Sequence, residues 1–113
     1  MSAPNFPDDE NGVVLRRMYE RGDDLSKPRM VDFCFVFSDR RQALAFAEIV
    51  DHRDLEVSIS YYEEREMWEV VVRRHMIPTH EAITLLESDL TEKAESVGGE
   101  PDGWGCMQID KDE

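Results

Sequence analysis

The order in which two hydrophobic periodicities alternate along this chain does most to limit its fold. Alternation at every second residue marks strands, and spacing at i, i+3, i+4 and i+7 marks amphipathic helices. Met30–Phe37 is the clearest strand: Val31, Phe33, Phe35 and Phe37 share one face, and Asp32, Cys34 and Val36 the other. Ser38-Asp39 then caps a helix predicted to reach about His52, with Ala43, Phe46, Ala47 and Val50 as its stripe. Leu55, Val57, Ile59 and Tyr61 alternate with Glu56, Ser58, Ser60 and Tyr62, a second strand with one wet face. Beyond the charged turn Glu63-Glu64-Arg65-Glu66, Trp68, Val70 and Val72 alternate with Glu69, Val71 and Arg73, so these two strands should pair as a hairpin. Thr79 caps a third helix with the stripe Ile83, Leu86, Leu90, Ala94 and Val97, and Gly98-Gly99 ends it. A last short strand is expected over Asp102–Ile109.

Ahead of these lies a helix near 9–21, started by Pro7-Asp8-Asp9, carrying Val14, Leu15, Met18 and Tyr19, and stopped by Gly22. Asn11-Gly12 weakens it. After this helix the order is β-α-β-β-α-β. Right-handed crossovers turn that order into an α+β, ferredoxin-like fold: two helices on one face of a four-stranded antiparallel sheet. Cys34 and Val36 suggest that the extra N-terminal helix covers the sheet's second face.

The 113 residues suffice for one domain spanning 1–113, with 1–7 and 110–113 read as frayed ends. Hydrophobic residues make up 41% and charged residues 35%, which fits a charge-rich globular protein rather than a disordered one. No apolar run is long enough for a membrane span, and Met1-Ser2-Ala3-Pro4-Asn5-Phe6-Pro7 is not a secretory signal. Cys34 and Cys106 form no CxxC pair and read as reduced thiols of a cytoplasmic protein.

The net charge is −13, from 13 basic and 26 acidic residues. Residues 80–113 alone hold ten acids and two bases, whereas residues 27–79 hold ten acids and eight bases. Such a surface repels a polyanion and attracts a basic partner. Direct nucleic-acid binding is therefore not expected, although the architecture is shared with the RRM. The three Phe of the first strand all lie on the face suited to packing beneath helices, and the opposite face offers Asp32, Cys34 and Val36, with no stacking platform.

Chemical motifs are weak. His75 and His80 are five apart, and His80-Glu81 opens like a zincin motif, but position 84 is Thr, so no metal and no cofactor is expected. Neither cysteine sits in a basic setting that would stabilise a thiolate. No GxSxG, GxGxxG or GxxxxGK[ST] is present. Glu81 and Asp102 could approach each other as an acid/base pair. The most distinctive segment is Asp102-Gly103-Trp104-Gly105, in which Trp104 is either a core anchor or an interface hot spot.

Gly22-Asp23-Asp24-Leu25-Ser26-Lys27-Pro28-Arg29 before a Phe-rich strand, Pro78-Thr79-His80-Glu81-Ala82-Ile83-Thr84, and Asp102-Gly103-Trp104-Gly105-Cys106 resemble the RraB family, regulators of ribonuclease E activity. The resemblance covers roughly residues 12–107. It implies a ferredoxin-like fold with an added N-terminal helix, in small, acidic, cytoplasmic proteins. It also implies a non-enzymatic role, since the founding member binds the C-terminal scaffold region of the endoribonuclease and lowers its RNA cleavage. This chain departs from that member: only Asp110-Lys111-Asp112-Glu113 stands where a long acidic tail would follow. It resembles a divergent branch.

The expectation is thus a binding protein whose partner is a basic segment of a ribonuclease E-type protein. Glu87, Asp89, Glu92 and Glu95 of the third helix and the Asp23-Asp24 loop would supply charge, and Trp104 an anchor, with Asp102, His80 and Glu81 nearby. Two alternatives stand beside it. One is an enzyme or small-ligand module built on His80, Glu81, Asp102 and Trp104; the other is a self-associating domain. The chain is expected to be a monomer or weak homo-oligomer.

Overall fold

The structure is a computed structural model and describes residues 5–50 and 54–111. The elements are α1 (Glu10–Glu20), β1 (Arg29–Phe37), α2 (Arg40–Ile49), β2 (Glu56–Tyr62), β3 (Met67–Met76), α3 (His80–Ser96) and β4 (Glu100–Cys106). Each helix begins at a side-chain cap. Asp9 accepts from the Gly12 N–H, Asp39 from Gln42 and Thr79 from Ala82, which satisfies a donor that the first turn leaves open. α2 stops at Ile49, short of the expected end at His52, and His52 lies outside the described residues.

The four strands form one sheet in the order β2-β3-β1-β4, with every neighbouring pair antiparallel. Phe33 faces Val72 and Phe35 faces Val70 across the central pair, so the alternating residues of β1 and β3 reach one core. Val31, Phe33, Phe35 and Phe37 lie there with Val70 and Val72, under Ala43 and Phe46 of α2 and Ile83, Leu90 and Ala94 of α3. The rings of Phe35 and Phe37 sit 5.1 and 5.3 Å from that of Phe46. Gly99 follows α3 where a Cβ would collide with the Phe37 ring, so only glycine lets the chain pass.

α1 does not lie where the sequence placed it. It packs against α3, on the helical side, rather than over the sheet's second face. Leu15 supplies its buried contact, while Val13 and Val14 stay partly exposed. The physical reason is polar: Asn11 donates to Thr84 Oγ1 at 3.0 Å and Glu87 Oε1 at 3.1 Å, and accepts from Trp104 Nε1 at 2.8 Å. The sheet's second face is dressed by its own side chains. Arg73 pairs with Asp32 at 3.2 Å. Arg65, in the β2–β3 turn, crosses β1 to reach Asp102 at 2.8 Å.

β4 begins at Glu100 and ends at Cys106, and Met107–Lys111 continues as a strap along the loop after α1. Asp24 N–H donates to Ile109 O at 2.7 Å, Lys111 N–H donates to Gly22 O at 3.3 Å, and Asp23 bridges Asp110. Asp110 and Lys111 are therefore held, where composition alone suggests a free end. Among the described residues no helix is long and apolar enough to cross a membrane.

Candidate functional site

The ten residues that the sequence marked do not gather in one place. Glu87, Glu92 and Glu95 share one setting. α3 exposes them on the flank turned toward α1 and β4, and with Glu10 they line a groove of about 610 Å³. Thr84, Thr91, Pro101 and Gly103 complete its walls. The groove is polar and open, suited to an extended segment rather than an enclosed small molecule. Its shape depends on Asn11, whose amide links α1 to Glu87 and to Trp104. Glu10 and Asn11 were not marked from sequence, because the partners of Asn11 lie 73 to 93 residues away along the chain.

Asp89 belongs to the other flank of α3. It pairs with Lys93 at 2.8 Å and lines a separate depression with Leu55 and Arg74, so it does not share the groove. Helical geometry contributes to this: at two residues from Glu87, Asp89 is turned to the far side of α3 from it and lies beyond the arc that Glu87, Glu92 and Glu95 span.

Asp23 is the clearest correction. Its carboxylate is fully buried and meets Arg29 Nη1 at 2.8 Å, so it offers nothing to a partner. Arg29 also donates to Met107 O at 2.9 Å and Asp24 O at 2.8 Å, joining the loop to the strap. Burial disfavours the guanidinium charge, but the bond and charge of Asp23 outweigh it and hold Arg29 above its ordinary value. Asp24 remains partly accessible. The Ser26 hydroxyl and N–H both donate to it and hold its carboxyl below the usual carboxylate range.

Trp104 is half-buried and packs against the main core cluster, with its indole N–H taken by Asn11. It is an internal anchor whose remaining edge faces outward. Asp102 is engaged by Arg65. His80 opens α3, its Nε2 lying 2.9 Å from Asp9 Oδ2, and Glu81 stands exposed in the first turn. The Gly12 N–H and His80 together hold the Asp9 carboxyl below the usual range.

His80, Glu81, Asp102 and Trp104 do not converge. His80 lines a cleft beside Tyr19 and Pro78, while Asp102 lines a shallow surface with Met30 and Cys34 on the sheet's second face, and Trp104, paired with Phe33, turns its ring to the core. No group of three or more His, Cys, Asp or Glu among the described residues is placed to hold a metal ion. Burial, helped by Glu69, Asp32 and Asp102, pushes the Cys34 thiol up, and burial does the same for Cys106 despite Arg29 nearby. Neither environment favours a nucleophilic thiolate. The outward residues of β1 and β3 include no Phe, Tyr or Trp, so the second face lacks base-stacking aromatics on its central strands.

A search of curated proteins finds no match. A family model, described as "Regulator of ribonuclease activity B", matches residues 8–106, from the cap of α1 to the end of β4. That span takes in every element that builds the groove and its supports, and on this evidence the chain belongs to the RraB family of ribonuclease regulators.

Proposed function

We propose that this chain is a non-enzymatic regulator that docks on a basic segment of a ribonuclease E-type endoribonuclease and lowers its processing of RNA. We also read the fold as ferredoxin-like with α1 as an addition, a reading supported by the antiparallel order β2-β3-β1-β4. The observation that carries the functional reading is the groove between α1, α3 and β4, with Glu10, Glu87, Glu92 and Glu95 around an open channel. An extended Lys/Arg-rich segment complements it in charge and shape. The overall −13 charge steers the encounter, and a rigid frame keeps the carboxylates spaced. Occupying a segment that otherwise recruits RNA would lower RNA processing.

The test is inhibition of RNA cleavage by a purified ribonuclease E-type enzyme. Exposed charge pairs are each worth little, so the triple variant Glu87→Gln, Glu92→Gln, Glu95→Gln is the informative one. It should raise the concentration needed for half-inhibition about ten-fold. Rising salt should have a similar effect on the unaltered chain. A flat salt response and an inert triple variant would remove the electrostatic mechanism. Failure of the chain to bind or inhibit the enzyme would remove the function.

A further inference from the structure

Two segments that the sequence singled out, Gly22–Arg29 and Pro78–Glu81, contribute little to the acidic groove, yet residues of both meet at a second place. With Phe6, Pro7 and Tyr19 they line a cleft of about 400 Å³ whose walls are mainly apolar: Leu25 and Pro78 belong to it, with Asp24 and Lys111 among its charged groups. The Phe6 and Tyr19 rings are 6.0 Å apart and tilted by 56°, an aromatic corner rather than a flat surface. Prolines and aromatic rings of this kind have little side-chain freedom to lose when a guest arrives.

The cleft already holds a cation. Lys111 Nζ lies 4.3 Å from the Tyr19 ring centroid, within the range at which a ring face attracts an ammonium. The strap delivers it there: Lys111 N–H is bonded to Gly22 O, and Asp110 bridges the buried Asp23. The arrangement combines an aromatic face, aliphatic walls and the Asp24 carboxylate. It matches the two parts of a basic side chain, whose methylene stem prefers apolar surface and whose head prefers a ring face or a carboxylate.

We propose that this cleft is a receptor site for one arginine or lysine side chain of a basic peptide, and that Lys111 is an internal occupant which that side chain displaces. The proposal rests on the reading that the partner is a basic segment, and it locates where one of that segment's cations is seated. The other chemistries fit less well. An anionic ligand would meet Asp24 and the net charge of −13, and a purely apolar ligand would leave the cation and carboxylate of the lining without a role. Self-occupancy also has a functional consequence. The Tyr19 ring face stays covered by an ammonium when no partner is present, and weak basic peptides must compete with Lys111 before they bind, which raises the threshold for docking.

The experiment titrates the full chain with acetyl-tetra-arginine amide and with the matching citrulline peptide, which keeps the shape and lacks the charge. NMR follows the Tyr19 and Phe6 ring signals and the Lys111 side chain. The arginine peptide should shift these signals and release the Lys111 ammonium, while the citrulline peptide should leave them in place. Lys111→Met should tighten arginine-peptide binding several-fold. Tyr19→Leu should weaken it about five-fold, and Tyr19→Phe should bind like the parent because the ring face is retained. Equal response to citrulline, shifts confined to the Glu87/Glu92/Glu95 groove, or a Lys111→Met variant that binds no more tightly would each overturn the proposal. Lys111→Met alters an exposed residue, so it decides the matter even if Tyr19→Leu fails to fold. Ribonuclease inhibition is scored separately in the same variants. Cleft binding without any inhibition by the parent chain overturns the proposed function and leaves the cleft standing. Inhibition with no shift at the cleft does the reverse.

Discussion

At the scale of single residues, the most consequential pair is Asp23 and Arg29, which is sealed from solvent. Arg29 is 5% exposed and Asp23 0%, and the guanidinium gathers the α1–β1 loop and the Met107–Lys111 strap onto one head. A buried pair of this sort is costly to break from one side, because the remaining charge keeps its desolvation penalty without its partner. Asp23→Ala should therefore lower unfolding free energy by about 3–5 kcal/mol in urea titration, and it should weaken protection of the Ile109 and Lys111 region in hydrogen exchange. Asp23→Ala that unfolds like the parent would show that the pair adds nothing. Asn11 makes the opposite point. Read in sequence, Asn11-Gly12 is a blemish in a helix. In the structure Asn11 satisfies Trp104, Thr84 and Glu87 together, and a Cβ at Gly12 would run into the Pro7 carbonyl. The residues that weaken α1 as an isolated helix are the ones that let it dock.

At the scale of elements, strand and helix identities followed from periodicity because each has a partner face of the right spacing. The caps were legible for the same local reason, since Asp39 and Thr79 bond within three residues of themselves. Thr79→Ala should cost about 1 kcal/mol, seen as a lower urea midpoint, while Thr79→Ser should restore most of it. A neutral Thr79→Ala would mean that the Pro78 turn alone sets the start of α3. The position of α1 was not legible. Its apolar stripe gives a face but not a destination, and the alternative destination, the second face of β1, was equally apolar on paper at Cys34 and Val36. What separated them was a set of side-chain hydrogen bonds reaching from Asn11 to α3 and β4 and from Asp9 to His80. The flank on which each acid of α3 stands also waited for that docking. Once α1 covers one side, Glu87, Glu92 and Glu95 edge the groove and Asp89 does not.

At the scale of the whole molecule, charge governs how stability responds to pH. A net charge of −13 repels itself in the compact state, so mild acidification relieves strain before specific interactions are lost. The specific losses have a definite sign. Asp9 and Asp24 have carboxyls held below the ordinary 3.8, so the folded protein binds these protons less readily than the unfolded chain. Their contribution is complete above 3.8 and disappears as pH falls through the lowered native values. Asp9→Asn keeps a capping oxygen but removes the charge, so its stability deficit relative to the parent should be constant from about pH 6 down to about pH 4 and then close at lower pH. Urea midpoints measured across that range test it; a deficit that persists unchanged in strong acid would assign the effect to packing instead of charge.

The sequence by itself determined the secondary-structure order, the central Phe-rich strand and its buried face, the helix caps, the excess of acid toward the C-terminal third, and the resemblance that the family match then bore out. All of these depend on interactions within a few residues or on composition, so they are written in the chain's local pattern. Only the tertiary structure decided that α1 leans on α3, that Asp23 is sealed away with Arg29 while Asp24 is not, that Trp104 spends its N–H on Asn11, and that Lys111 comes to rest on Tyr19. Each of these joins residues far apart in sequence, and each depends on directional hydrogen bonds or ring contacts that exist only once the elements have packed.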